Sequence, residues 1–217
     1  MAFPNEALYE GKIKADDSCA RIRLADMESY AKSEAAEEGS GDDELENAPL
    51  VFYDTAGCEM YESQAPIEQE GGRSLAQLDS RANTHEVELV AQHVSLLVKR
   101  GLDPCRISIL SPYNLQVSAL AERVRSKADY AGVLVGSIDS MQGMENDVVI
   151  LSLVRSNEQR SVGFLGEHRR LNVAMTRAKR QLCIVGDSET IGGADNTYLR
   201  HWMTHLEEHA LVEPVVP

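Results

Sequence analysis

The segment Asp147-Val148-Val149-Ile150-Leu151-Ser152-Leu153-Val154 constrains the fold more than any other stretch of the chain. A strand with one wet face would alternate polar and apolar positions; this one is almost unbroken apolar sequence, as a strand covered on both faces must be. Such strands belong to parallel sheets, whose crossovers lay helices on either side. The surrounding sequence supplies the helices. Asn83 is placed to cap one, with Glu86 three residues on in capping-box position, and Val87, Val90, Ala91, Val94, Leu97 and Val98 follow at helical spacing up to Gly101. A second helix runs from about Asn114 with Val117, Leu120, Ala121 and Val124 inward, Arg169 to Arg180 reads as a third, and Leu199, Trp202, Met203 and Leu206 mark a last one. Strands are expected at 50–54, 106–110, 133–135 and 182–185, while 59–82 reads as a polar loop broken at Gly71-Gly72. The order β-α-β-α-β-β-α-β-α predicts an α/β fold, an open, mostly parallel sheet with helices on both faces. Ligands of such sheets gather beyond the carboxyl ends of the strands, which points to the loops 111–114, 137–145, 155–164 and 186–187.

Charge is unevenly distributed over this frame. The formal net charge is −14, which excludes a polyanion binder working by bulk charge alone. From Asp26 to Glu46, however, nine acids face one base, Lys32, and leave the remainder at −6. That stretch is poor in β-branched and aromatic residues, so a disordered acidic insertion is expected over 25–48. Arg155 to Arg180 runs against the trend, with seven bases and two acids in 26 residues, and is the first place to look for an anion site. No run of 18 apolar residues suits a membrane span, and Met1 to Glu6 lacks the features of a signal peptide. Cys19, Cys58, Cys105 and Cys183 have neither zinc nor redox spacing, so the expected compartment is intracellular, nucleus or cytoplasm. His201, His205 and His209 share a helix face, yet without a glutamate or cysteine to complete a site they read as a solvated face and no metal is expected.

Two segments carry more than fold. One is Val135-Gly136-Ser137-Ile138-Asp139-Ser140-Met141-Gln142-Gly143-Met144-Glu145-Asn146-Asp147; the other is Gly163-Phe164-Leu165 followed by Arg169-Arg170-Leu171-Asn172-Val173-Ala174-Met175-Thr176-Arg177-Ala178-Lys179. In order and spacing they resemble motifs V and VI of superfamily 1 helicases, in the group of the nonsense-mediated-decay and immunoglobulin mu-binding-protein helicases. Phe3-Pro4-Asn5-Glu6-Ala7-Leu8-Tyr9-Glu10-Gly11, Asp54-Thr55-Ala56-Gly57-Cys58 and Ser111-Pro112-Tyr113-Asn114-Leu115-Gln116-Val117 are similar to further segments of that group. The resemblance implies the second, C-terminal RecA-like domain of an ATP-dependent motor, a P-loop NTPase fold without a P-loop of its own. It implies Arg177 as the arginine acting on the γ-phosphate, and Gln142, Gly143, Glu145 and Arg170 as nucleotide-contacting residues. It implies Tyr113, Asn114, Ser137, Asp139 and Thr176 along a single-stranded DNA or RNA track. On residue chemistry alone, Leu171, Ala174, Met175 and Ala178 form the inward stripe of a helix, and Arg177 projects from its margin, where a guanidinium meets phosphate well. Gly143 permits a turn barred to other residues, and Glu145 can accept from ribose hydroxyls. Tyr113 is equally compatible with turn packing beside Pro112. The chain has Met144 and Asn146 where those relatives usually carry Arg and Lys, which removes two charges from the loop.

No G-x-x-x-x-G-K-[ST] sequence is present, and Asp42-Asp43-Glu44 lies in the acidic tract rather than after a strand. ATP with Mg²⁺ is therefore expected to be bound mainly by a first RecA-like domain preceding Met1, with this chain inactive alone. The expected organisation is a family segment continuing from that domain (1–24), the insertion (25–48) and the RecA-like domain (49–213). Two rivals are open: a non-catalytic truncated module that binds nucleic acid or a helicase partner, and an acidic tract serving as a docking tail.

Overall fold

The computed structural model describes residues 2–28, 30, 44, 48–64 and 80–215. Most of the acidic tract, and the polar loop around Gly71-Gly72, lie outside the described residues. Six strands form one parallel sheet: β1 (Leu50–Asp54), β4 (Ile107–Ser111), β5 (Leu134–Ser137), β6 (Asn146–Ser152), β7 (Ala178–Gly186) and β8 (Leu211–Pro214), in the order β5-β4-β6-β7-β1-β8. A two-residue antiparallel pair, β2 (Ser63–Gln64) with β3 (Arg81–Ala82), stands apart from it. The helices are α1 (Ala2–Tyr9), α2 (Thr84–Lys99), α3 (Asn114–Arg125), α4 (His168–Met175), α5 (Ser188–Gly192) and α6 (Thr197–His209).

The predicted two-sided strand is the centre of the molecule. Along β6 the side chains alternate between two separate cores. Val148 and Ile150 pack with Val90, Val94 and Leu97 of α2 and Leu120 of α3. Val149 and Leu151 pack with Leu171 and Ala174 of α4 and Trp202 and Leu206 of α6. Helices therefore cover both faces, as the sequence requires. Asn83 caps α2, its side chain accepting from the amides of His85 and Glu86.

Four expectations need correction. The helix predicted over Arg169–Arg180 ends at Met175, and Ala178 already opens β7 opposite Asn146. The Thr176 hydroxyl bonds the carbonyls of Asn172 and Val173, closing the helix, and the Asn146 amide bonds the Arg177 carbonyl, starting the ladder. Helical spacing continues through Ala178, but strand pairing overrides it. Second, the polar loop over 59–82 carries β2 and β3. Third, the acidic stretch does not leave the fold at residue 25: Asp26 ends a 3-10 turn, and Met27 and Tyr30 are buried beside α2. Last, β8 pairs with β1 beyond the final helix.

Candidate functional site at the two ends of the sheet

Every strand of the main sheet runs the same way, so the sheet has an amino end and a carboxyl end, and the predicted residues divide between them. The 138–145 connection makes this possible. It leaves the carboxyl end of β5, turns through a 3-10 segment at Ile138–Met141, and reaches the amino end of β6 without an intervening helix. Ser137 caps that turn, accepting from the Ser140 amide at 3.3 Å while the Ser140 hydroxyl donates to the Ser137 carbonyl at 2.6 Å.

At the amino end, Gln142, Gly143, Met144 and Glu145 are exposed, and Gly143 uses φ +81°, a conformation other residues avoid. Arg177 sits beside this loop, past the end of α4 rather than on it. Its Nε donates to the Val173 carbonyl at 3.0 Å, one Nη to the Thr176 hydroxyl at 2.8 Å and the other to the Met144 carbonyl at 3.3 Å. These partners are neutral, and no carboxylate among the described residues pairs with the guanidinium. The group is thus fixed in direction with its charge unmatched, the condition under which an anion is attracted without reorganisation. Glu145 pairs with Lys179 at 2.9 Å in an exposed ion pair. Just below, Asp147 holds Arg106 at 2.7 Å and Arg180 at 2.9 Å, and raises the Arg106 pKa from its ordinary value.

The nucleotide and nucleic-acid sets predicted from sequence are not cleanly separated. Thr176, expected on the strand track, lies at the amino end bonded to Arg177. Arg170, expected near nucleotide, pairs with Asp139 at 3.3 Å and with Glu167 at 3.2 Å. Five of the expected residues, Gln142, Gly143, Glu145, Thr176 and Arg177, lie at the amino ends of β6 and β7, although ligands of parallel sheets were expected at the carboxyl ends. The connection across the sheet is the reason.

Around Tyr113, after β4, the carboxyl end is filled by the protein itself. Tyr113 is 2% exposed; its hydroxyl donates to the Val162 carbonyl at 3.2 Å and accepts from Arg155 at 3.2 Å. Its ring lies 5.5 Å from that of Phe164, and burial raises its phenol pKa. Tyr113 occupies the turn-packing place that the sequence left open, and the neighbouring exposed residue is Asn114, which opens α3. Gly163 closes over this pair: a Cβ there would run into an Arg155 Nη and the Tyr113 hydroxyl.

Sequence reading missed what holds this end together. Val154 has φ +73°, and the Arg155 amide bonds the Leu153 carbonyl at 2.8 Å, a tight three-residue turn uncommon for a β-branched side chain. Glu86, fully buried on α2, accepts from the Val154 amide at 2.9 Å and from the Ser152 hydroxyl at 2.6 Å. Glu62 takes Arg155 at 2.8 Å and the Ser156 amide at 2.9 Å. Burial pushes the Glu86 pKa up to about 8, against the hydrogen bonds that favour its ionised form. Glu86 stands in the capping-box position, and a side chain there can face inward as readily as back to the cap; no sequence signal marks Glu62.

Comparison with known proteins bears on these two ends together. A model of an AAA domain, AAA_12, matches residues 1–189. The chain is 39% identical over 210 residues to the DNA polymerase alpha-associated DNA helicase A of Saccharomyces cerevisiae, covering 97% of this chain and 29% of that protein. It is 36% identical over 97% of its length to DNA-binding protein SMUBP-2 of Rattus norvegicus, spanning 19% of it. It is 28% identical over 95% of its length to the regulator of nonsense transcripts 1 homolog of Neurospora crassa, spanning 17%. The chain thus spans less than a third of the length of these relatives. Among solved structures, the C-terminal domain of a possible DNA helicase from Lactobacillus gives a TM-score of 0.41 at 14% identity over 75% of this chain and 83% of that one, a likeness that carries no weight here. No helix among the described residues is long and apolar enough to cross a membrane.

Proposed function

Since the chain belongs to the AAA_12 domain family, which forms the C-terminal part of superfamily 1 DNA and RNA helicases, we propose that it works as the second motor domain of an ATP-dependent helicase. In this reading the amino end of the sheet meets ATP held on a first RecA-like domain, and Arg177 is the arginine finger. ATP with Mg²⁺ supplies the phosphoryl group whose loss drives the cycle. Arg177 binds and orients a phosphate oxygen, Glu145 exchanges Lys179 for ribose hydroxyls, and Gln142 and Gly143 let the loop approach closely. Asn114 and Ser137, at the carboxyl ends of β4 and β5, contact the backbone of a single strand of DNA or RNA. Neutral donors of this kind fix register without reading sequence, as a translocating protein needs. Arg170, tied to Asp139, links the strand-side turn to α4, which ends at Met175 just before Arg177.

The observation that carries the reading is the Arg177 guanidinium, fixed by three neutral oxygens beside the exposed Gly143 loop and matched by no carboxylate among the described residues. An arginine finger is worth roughly 10³ to 10⁵ in rate, or about 4–7 kcal/mol of transition-state stabilisation. The test joins this chain to the first domain of a relative and compares ATP turnover with Arg177→Ala. Turnover should fall by about 10³-fold or more with folding intact. Unchanged turnover sinks the assignment, and turnover by this chain alone sinks the two-domain reading.

A further inference from the structure

A cavity of about 430 Å³ opens at the carboxyl ends of β1, β6 and β7, apart from the amino-end residues assigned to nucleotide. Its wall contains a buried negative charge. Asp187 is 7% exposed, and its carboxylate accepts from the Thr190 amide at 2.9 Å, the Thr190 hydroxyl at 2.8 Å and the Ser156 hydroxyl at 2.7 Å. All three donors are neutral. No cation pairs with Asp187 among the described residues, although buried charges ordinarily take a counter-charge. Capping the short α5 offsets part of this, but Asp187 still acts as a like charge on Glu86 and contributes to raising its pKa.

A second observation is independent of the acids. Thr55, on the same wall, is 1% exposed, and its hydroxyl has no hydrogen-bond partner. A buried hydroxyl without a partner is uncommon and costs free energy unless something satisfies it. The rim adds Glu59, Glu158 and Glu189 against a single base, Arg160, which stands 3.5 Å from Glu189. A phosphate would be repelled from such a wall. A metal ion is also a poor fit, because no three His, Cys, Asp or Glu side chains among the described residues converge to hold one. Tyr61, 56% exposed, also lines the wall and offers a π-face suited to a planar or alkylated cation.

We propose that this cavity binds an organic cation of the guanidinium or alkylammonium class, with Asp187 as its counter-charge and the Thr55 hydroxyl as a hydrogen-bond partner. The cation comes from a basic side chain of a polypeptide or from a free polyamine. This goes beyond the motor reading and does not depend on it.

The experiment is calorimetric titration of the 217-residue chain with Gly-Arg-Gly amide, spermidine and AMP at low salt. One-to-one binding of the peptide or of spermidine is expected, and the tighter probe identifies the source. Asp187→Asn should weaken it at least about tenfold, since truncating one partner of a buried charge pair is costly. Because Asp187 also caps α5, Thr55→Val and Glu158→Gln provide the same test without the cap and should each weaken binding about threefold. Glu207→Gln, outside the cavity, should leave it unchanged. No saturable binding of either cation overturns the proposal. So does cation binding indifferent to Asp187→Asn in a folded protein, or to both other variants. AMP binding that Asp187→Asn alters overturns it as well.

Discussion

The two ends of the sheet are built by opposite rules. At the turn that follows β6 the charged groups are buried and mutually engaged: Glu86 and Glu62 hold consecutive parts of it, and Arg155 bridges Glu62 to Tyr113. At the amino end the charges face solvent in pairs such as Glu145–Lys179, and among the described residues Arg177 is held by two carbonyls and a hydroxyl. The first end uses polar groups to fix a backbone shape that Val154 would not adopt unaided. The second leaves its polar groups available to exchange partners. Removing a side chain should therefore cost stability at one end and little at the other.

The largest expected effect on stability is Glu86→Ala. It leaves the Val154 amide and the Ser152 hydroxyl buried without an acceptor, a loss of about 3–5 kcal/mol. Urea unfolding of the 217-residue chain measures it; a loss below about 1 kcal/mol would mean the turn holds itself. Next is Gly163→Ala. The added methyl meets Arg155 and Tyr113 at a residue with φ +49°, so about 2–3 kcal/mol should be lost. A silent Gly163→Ala would show that the Arg155–Tyr113 pair gives way easily and that this end is less tightly closed than its contacts imply.

The buried carboxyl end should also show in the pH dependence of stability. Glu86 has its folded pKa raised to about 8 from 4.5, so the folded state holds a proton that the unfolded chain releases. Its contribution is complete below 4.5 and is lost as pH rises through 8. His93, buried between Tyr53 and Gln181, has its pKa lowered from 6.5 to about 4 by desolvation, so its contribution is present above 6.5 and is lost as pH falls towards 4. The two slopes oppose each other between 4.5 and 6.5. Above 6.5, of these two groups, Glu86 alone acts, and its contribution should fall by about 2 kcal/mol up to pH 8, at no more than roughly 1.4 kcal/mol per unit. Glu86→Gln should flatten that fall; a slope that survives the substitution assigns it elsewhere.

How far the sequence reveals each end follows from the range of the forces involved. The β6 strand, the cap at Asn83 and the two-sided covering were legible because they rest on local pattern and amphipathicity. The motif locates Arg177, but the helical spacing of Leu171, Ala174 and Ala178 places it on a helix; pairing of Ala178 with Asn146 shows that a strand has begun. Glu86 was seen as a cap partner, and its inward bond to Val154 depends on a turn 68 residues away. Tyr113 looked exposed or packed with equal ease until Arg155 and Phe164 closed around it. The carboxyl end was therefore the less legible of the two, being assembled from contacts distant in sequence, whereas the exposed loop at the amino end lies within one continuous motif.

The smallest predicted effect is the sharpest check on the contrast. Lys179→Ala removes the partner of Glu145 at a site where both side chains are about half exposed, so the pair should contribute under about 0.5 kcal/mol to stability. In a chain joined to a first domain the same change frees Glu145, and nucleotide affinity should stay level or rise slightly if that carboxylate exchanges Lys179 for ribose. A stability loss near that of Gly163→Ala would show that the amino end is locked as firmly as the carboxyl end. A clear fall in affinity with stability intact would move the nucleotide contact from Glu145 to Lys179 itself, leaving the open character of this end in place.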